Sequence, residues 1–433
     1  MRIANLRLFP ALRFGVAAAA LLACAQASAA NGINLIGFGA ESSLMAGADT
    51  AAARDTASLN TNPAGLAHIE GARADYYGSL YASEIVHADR LGNDRRAAND
   101  LTLLGGAGYA RRLRDGHLTL GIGLFVQGGS GAVYKDLATP FGTRDAYSAL
   151  TGIVKLAPGF AYRASDSLAV GAALSAVYAS TRQRLFPGTS VFDPADPSRS
   201  FFGTEIKEAH ALRARVRLGL QYRARPDLTL GAVFANRLSL PLRGGRLDSN
   251  QSALGLGSVS YGDARIEGLG IPREISLGAA WQATPSTLVS LKLSRLYWSE
   301  AMKTVTLTAR NPDNPLAPAE LRGATPLDWR DRNVVALGVR SSLGERTALL
   351  AGYNYSRRPM ADATLSPLFA PIGEKHVTLG LAHRLRGGYE LFGGIEVQLP
   401  ERIRYTNPLQ PFGPDAQVRL GYVALHAMLS RRW

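Results

Sequence analysis

From Ala72 onward the chain alternates apolar and polar residues in short bursts, the period-two signature of strands with two unlike faces. In "HLTLGIGLF", Leu118, Leu120, Ile122 and Leu124 share one face, while Thr119, Gly121 and Gly123 share the other. One unit recurs six times: a glycine-bearing apolar run, a tight polar turn, and a second such run. The units begin at Leu103, Leu156, Val216, Ile275, Val335 and Val377. Their turns draw on Asp, Gly, Pro and Ser, so each predicts a hairpin with a short turn. A strand before the first unit ("ARADYYGSLYASEIV") and one after the last ("VRLGYVALHAMLSRRW") bring the count to fourteen.

Between the hairpins lie longer, less regular stretches: "FPGTSVFDPADPSRSFFGT", "NPDNPLAPAELRGATPLDW", "SPLFAPIG" and "NPLQPFGPD". Short turns at one end and long loops at the other are the asymmetry of outer-membrane barrels, which also need an even strand number. A soluble sandwich or propeller alternates too. The asymmetry and the terminal aromatic Trp433 favour the barrel, although Arg431 shares the phase of Val423, Leu425, Ala427, Leu429 and Trp433. The predicted fold is all-β: a transmembrane antiparallel β-barrel of about fourteen strands.

The first residues change the picture only by exporting the chain. Arg2, Arg7 and Arg13 precede the apolar run "FGVAAAALLACA" and the small-residue stretch "AQASAA", the three zones of a secretory signal peptide, with Ala27 and Ala29 spaced for cleavage after Ala29. Cys24 in "LLAC" also fits a lipid-attachment site, and both processings stay open. Either way no disulfide pair exists, since Cys24 is the lone cysteine. The net charge is +14, of which the leader carries three. The cations are dispersed singly, without the basic runs of a nucleic-acid patch, so an anionic membrane surface or acidic ligand is the better match. The Arg-rich turns, with Arg111, Arg112, Arg114, Arg223, Arg225, Arg384 and Arg386, are expected to face the periplasm.

Residues 30–70 break the alternation. They are rich in Ala, Gly, Ser and Asn and contain "LNTNPAGLAH". Asn62 can cap a short helix that begins at Pro63, because proline loses nothing at the first helical position, and Gly65 permits close approach of a neighbouring backbone. A fourteen-stranded barrel is too wide for wall side chains to fill. A plug is therefore needed, and this segment is the candidate, giving three regions: signal peptide 1–29, plug 30–70 and barrel 71–433.

"GADTAAARDTASLNTNPAGLA", followed by about fourteen strands with six short turns, resembles the FadL/TodX family of outer-membrane transporters for long-chain fatty acids and other hydrophobic compounds. "GHLTLGIGLFVQGGSGAVY" and "SLAVGAALSAVYASTRQRLF" add weaker support. The resemblance implies a small N-terminal hatch in the lumen, with Asn62, Pro63, Ala64, Gly65 and Leu66 as its motif, moving to open a path. It implies ligand capture among extracellular loops. It also implies a lateral opening at a kinked third strand, where Gly128, Gly129 and Gly131 of "QGGSG" would sit. Glycine weakens a strand ladder and favours a bulge, which suits that role, though these glycines equally suit the start of a loop.

A fatty acid needs an apolar slot and a cation for its carboxylate. Leu185, Phe186, Phe192, Phe201 and Phe202, with Leu368 and Phe369 from a later loop, are the candidate apolar surface. Arg182 and Arg184 are candidate carboxylate receptors or ordinary strand-end cations. The implied partners are hydrophobic small molecules, outer-membrane lipids and lipopolysaccharide, and the barrel-assembly machinery during biogenesis. No cofactor, metal or nucleic acid is expected, because the seven His form no metal pair and no G-x-S-x-G, H-E-x-x-H or phosphate loop occurs. The expected function is uptake of a hydrophobic compound across the Gram-negative outer membrane. A general diffusion pore, a structural barrel and an outer-membrane lipid hydrolase are the alternatives.

Overall fold

The structure, a computed structural model, describes residues 31–433; the signal peptide, its cleavage site and Cys24 lie outside the described residues. Fourteen antiparallel strands form the wall: β1 (Ala72–Ala88), β2 (Leu101–Arg112), β3 (Leu118–Ala138), β4 (Arg144–Arg163), β5 (Leu168–Val191) and β6 (Phe201–Arg225). Four interrupted strands follow, β7 (Leu228–Ala235, resuming at Leu242–Asn250), β8 (Ser258–Glu267, resuming at Arg273–Thr284), β9 (Thr287–Tyr297, resuming at Thr304–Pro312) and β10 (Glu320–Pro326, resuming at Arg332–Ser342). The last four are β11 (Thr347–Ser356), β12 (Lys375–Arg384), β13 (Tyr389–Tyr405) and β14 (Ala416–Arg432). Sequence neighbours pair, and β14 pairs back onto β1 from Arg73 with Arg432 to Ala88 with Gln417. Closure leaves the sheet no edge and satisfies strand backbone inside lipid.

Alternation sets what each face meets. Leu120, Ile122, Leu174, Leu218, Leu277 and Leu337 stand exposed on the outer face and form an apolar belt. At the short-turn end Arg431 lies over the rings of Tyr389 and Trp433, 5.1 and 5.3 Å from their centroids. Its head leaves the belt beside aromatics of the membrane interface, which reconciles a cation with the outward phase of β14.

The inner face carries the glycines that recur in every hairpin. Gly380 of β12, Gly352 of β11, Gly231 of β7, Gly219 of β6, Gly171 of β5 and Gly121 of β3 all point at the N-terminal segment. A methyl group at Gly380, Gly352 or Gly171 would stand 2.5 Å from hatch atoms of Leu44, Met45 or Ala64, well inside contact distance. The repeat therefore has a steric cause: missing side chains on most strands make a ring-shaped channel in which the hatch runs round the wall.

Two expectations need correction. The stretch from Phe186 to Thr204 is strand at both ends, since Ser190 pairs with Phe202 and Val191 with Phe201 beyond a bulge that starts at Leu185. Leu185, Phe186, Phe201 and Phe202 therefore sit on strand extensions, not on a free loop. Likewise "NPDNPLAPAELRGATPLDW" is partly ladder, with Arg310 opposite Glu320. Alternation continues past the apolar belt, so pairing does too.

Candidate ligand passage

Within the hatch, helix α1 (Gly39–Leu44) and two 3-10 turns, Thr56–Leu59 and Pro63–His68, are joined by backbone with little regular structure of its own. The wall supplies what the hatch lacks. Thr378 donates to the Leu44 carbonyl at 2.7 Å, Asn354 to Ala46 at 2.9 Å, and Ser290 to Ala48 at 2.7 Å. Gln221 donates to Ala53 at 3.2 Å, Arg217 to Thr61 at 3.1 Å, and Arg163 to Ala67 at 2.7 Å. The donors stand on β12, β11, β9, β6 and β4 in turn as the hatch advances, so its buried carbonyls are satisfied by inward side chains of successive strands.

Asn62 fastens the middle of this path. Its Oδ1 accepts from the Ala64 amide at 3.1 Å, capping the turn that starts at Pro63, and its Nδ2 donates to the carbonyls of Thr50 (2.6 Å) and Leu220 (3.0 Å). One side chain thus ties two hatch segments to β6. Gly65 lies where a Cβ would be 2.5 Å from the Ala53 carbonyl, and Leu66 is fully buried against Gly121.

Glu41, Arg54 and Asp49 of the hatch are ion-paired, whereas Asp55 is not. Glu41 accepts from Arg54 (2.7 Å) and Arg340 (3.1 Å). Burial alone would raise its carboxyl, but the two guanidiniums hold it down at about 2. Asp55 is pushed up to about 7 by burial and by the neighbouring Asp75 carboxylate.

Ahead of α1, residues 31–35 form a strap across the lumen. Asn34 makes a single antiparallel bridge to Gly128 of β3, and its Oδ1 accepts from Gln127 at 3.3 Å. Strand β3 is irregular there. Its pairing with β2 runs from Arg112 opposite Thr119 only to Gly106 opposite Phe125, whereas β2 continues against β1 as far as Leu101 opposite Ala82. On the other side, β3 shifts register against β4 between Val126 and Gly128. Gly128 and Gly131 have φ of +138° and +149°, and a Cβ on Gly128 would collide with the Ile33 carbonyl. Above the break, Asn99 rejoins the wall, donating to the Gly131 carbonyl at 3.1 Å and accepting from the Val133 amide at 2.9 Å. The result is a window between β2 and β3, bounded by Phe125 below and Asn99 above, with Ile33 and Asn34 across its inner side.

Two cavities flank the strap. On one side about 370 Å³ of atom-free space is lined by Ile33, Gly129, Ile153, Leu242, Met302 and Phe369, together with other uncharged residues. On the other, about 500 Å³ is lined by polar groups including Asn31, Asp49, Asn60, Arg217, Glu274 and Lys292. In the second cavity Arg217 pairs with Glu274 at 2.8 Å and Lys292 with Asp49 at 3.1 Å.

Of the candidate ligand residues, Phe369 lines the apolar cavity, stacked on Trp329 at 5.1 Å, and Leu368 lines a smaller cavity beside Gly131. Phe186 is instead fixed in an aromatic cluster, 4.8 Å from Tyr147 and 6.1 Å from Phe412, with Phe201 at its edge. Leu185 packs on that cluster, Phe192 is exposed, and Phe202 sits half-buried at the start of β6. Arg182 and Arg184 line neither cavity. They continue the outward phase of Leu174 and Tyr178 on β5, and Arg184 pairs with Glu205 at 3.5 Å, so they do not reach a ligand in the lumen. Reading that phase would have placed them outside. Sequence reasoning missed the inward cations Arg217 and Lys292, whose signal was a cation at the polar phase of an otherwise apolar strand. Among the described residues no group of three His, Cys, Asp or Glu could hold a metal.

The profile of the family described as "Outer membrane protein transport protein (OMPP1/FadL/TodX)" matches residues 17–387. Solved structures share the fold. The Pseudomonas putida toluene transporter TodX aligns with a TM-score of 0.75 at 20% identity over 92% of this chain and 99% of its own. The Ralstonia pickettii toluene transporter TbuX aligns with a TM-score of 0.71 at 20% identity over 92% and 99%. A Pseudomonas aeruginosa FadL homologue gives 0.74 at 14% identity over 93% and 99%. Among curated protein sequences none matches this chain.

Proposed function

This chain belongs to the FadL/TodX family of outer membrane transport proteins, and from that premise we propose that it takes up small hydrophobic compounds by a lateral route. The ligand, an aromatic hydrocarbon or the apolar part of a fatty acid, enters from the long-loop end into the uncharged cavity at Phe369. It moves past the strap and leaves through the window between β2 and β3 into the membrane. The driving force is the gradient together with partition of apolar surface out of water.

One observation carries the reading: the break in β2–β3 pairing is covered from inside by Ile33, which also borders the apolar cavity, and by Asn34, which borders the polar one. Displacing a five-residue strap would join cavity to window. The hatch behind it, bonded to the wall along its length, stays seated and keeps solutes out. Leu185, Phe186, Phe201 and Phe202 act in this scheme by holding the outer end of the barrel in shape, while Phe369 and Leu368 meet the ligand. Lipids and lipopolysaccharide contact the outer belt, and the strand ending in Trp433 is what the barrel-assembly machinery would engage.

The test is uptake of radiolabelled toluene and decanoate by cells with and without the protein. Faster entry of at least one, with unchanged uptake of glucose, is expected. Equal rates for every hydrophobic compound would overturn the proposal. Steady ion conductance of the purified protein in planar bilayers would instead favour a diffusion pore.

A further inference from the structure

His426 holds two unlike partners on its two ring nitrogens. Nδ1 lies 2.7 Å from the Ser79 hydroxyl, and Nε2 lies 3.0 Å from Glu396 Oε2. Ser79 stands on β1, His426 directly opposite it on β14, and Glu396 on β13, so closure of the barrel assembles the three. Among the described residues no other His has a hydroxyl at one nitrogen and a carboxylate at the other. His383, for comparison, meets Thr347 at 2.9 Å at an exposed strand end, with no acid behind it.

The network decides which nitrogen carries the proton. Glu396 also accepts from the Tyr422 hydroxyl at 2.5 Å and lies 3.2 Å from His376 Nδ1, all of it buried. A carboxylate can only accept, so His426 directs its Nε2–H at Glu396. The Nδ1 lone pair is then free to take the Ser79 proton. Nucleophile, base and orienting acid thus stand within hydrogen-bond reach of one another, the division of roles found in acyl-transfer sites, with the two ring nitrogens exchanged.

The place of the trio in the fold gives it a substrate path. Tyr77, two residues before Ser79 on the same inward face, has a buried hydroxyl without a hydrogen-bond partner, set against Gly106, where β2 makes its last pairing with β3. A spare O–H there is a donor for an oxyanion. Leu104, opposite Ser79, belongs to the part of β2 that β3 leaves unpaired, so Ser79 is one strand away from the window. Tyr81 stands edge-on to His426 at 6.0 Å, and Leu35 of the strap packs on the cluster of Tyr81, Leu104 and Tyr422 while lining the polar cavity. Displacing the strap would open the trio to apolar surface on one side and to the polar cavity on the other.

We propose that Ser79, His426 and Glu396 hydrolyse carboxylic esters with an apolar acyl chain. Ser79 Oγ bonds to the ester carbonyl carbon as its proton passes to His426 Nδ1, and charge develops on the carbonyl oxygen beside Tyr77. The C–O bond to the alcohol then breaks, and the alcohol leaves with the proton from His426. Water attacks the acyl-serine, giving a proton to His426; the Ser79–acyl bond breaks, Ser79 Oγ regains that proton, and the acid departs. Glu396 stays ionised and stabilises the imidazolium. The activity goes beyond uptake, although displacement of the strap is taken from the uptake reading.

The test treats the purified full-length barrel in detergent with an alkyl fluorophosphonate, locates the label by peptide mass spectrometry, and follows hydrolysis of p-nitrophenyl decanoate, with heat-modifiable electrophoretic mobility confirming the fold. The label should fall on Ser79, and Ser79→Ala should lower ester turnover at least about a hundredfold. Glu396→Gln keeps the shape but not the fixed tautomer, so kcat and the labelling rate should fall with KM little changed; a Glu396 that only holds the wall together would leave the labelling rate as it was. Gly128→Ala, which loosens the strap, should speed labelling. No label on Ser79 in either the native protein or Gly128→Ala, or equal turnover by Ser79→Ala, would overturn the assignment. Toluene and decanoate contain no ester, so their uptake tests the transport reading separately.

Discussion

The two halves of the lumen are built from the same wall and filled by opposite means. Toward the short-turn end most strands present a glycine, and a polar backbone segment threads the space so made, tied by donors such as Ser290, Asn354 and Thr378. Toward the long-loop end the inward residues are large and apolar, including Trp298, Trp329, Phe186 and Phe412, and an uncharged cavity remains among them. Side-chain size at the inward phase decides which filling results. Where it is nil, backbone enters and must be hydrogen-bonded; where it is large, side chains meet across the barrel and leave dry, irregular space.

The interruptions of β7 to β10 mark the border between the halves. Segments 236–241 and 268–272 turn inward there, pairing Leu238 with Ile271 and bringing Leu240, Leu242 and Gly270 to the apolar cavity. The hatch half is thus uniform round the wall, whereas the cavity half is lopsided, with the crease on one side and the β2–β3 window on another. Under the proposed function, that contrast would give sealing to the first half and ligand handling to the second.

The largest effect is expected from filling the glycine channel. A Cβ at Gly219 would overlap Asn62 Oδ1, so Gly219→Val should unseat the middle of the hatch at a cost of about 3 kcal/mol. The measurement is planar-bilayer conductance, which should rise from closed to open while the barrel itself stays folded. Next comes Asn62→Ala, which removes three hydrogen bonds and leaves buried backbone groups unpaired, for about 2 kcal/mol. Hydrogen exchange should show lost protection from Thr50 to Leu66 with little change in β11 to β14.

A smaller change should come from the cavity half. At Gly128 the backbone conformation and the Ile33 carbonyl both oppose a side chain, so Gly128→Ala should detach the strap at about 1 to 2 kcal/mol. Uptake of a hydrophobic compound should then rise or lose its saturation, with conductance still closed. A rise in conductance instead would erase the distinction between the halves.

The most gradual effect is set by pH. Glu41, held at about 2, favours the seated hatch above the ordinary carboxylate range near 4.3, and that contribution is lost as pH falls toward 2. Asp55 has the opposite sign. Pushed up to about 7, it binds its proton more readily in the seated hatch, so the hatch weakens as pH rises from about 4 to 7 and levels off above. Exchange protection of the hatch amides should therefore peak near pH 4, and Asp55→Asn should flatten the upper side alone.

Much of the fold was legible because barrels repeat a local rule. Period-two alternation and the turn residues gave fourteen strands, with β1 beginning at Ala72 and the short turns all at one end. The glycines were visible in every hairpin, but their reason was not, since Gly219 and its partner Asn62 are distant in sequence and meet only after closure. Site chemistry was less legible still. Arg182 and Arg332 look alike along the chain. The first shares the phase of Leu174 and faces outward, and the second shares the phase of Val334 and faces the lumen.

The central claim is that ligand passes while the hatch core stays seated. Ser290 of β9 reaches the Ala48 carbonyl at 2.7 Å, so Ala48→Cys with Ser290→Cys, joined as a disulfide or by a short reducible thiol cross-link, would staple the hatch to β9 without filling the glycine channel. Uptake of decanoate or toluene by this variant, oxidised and then reduced, is the direct test. The account predicts equal rates, within about twofold, in the two states. Uptake abolished by oxidation and restored by reduction would show that the hatch itself must move, and would contradict it.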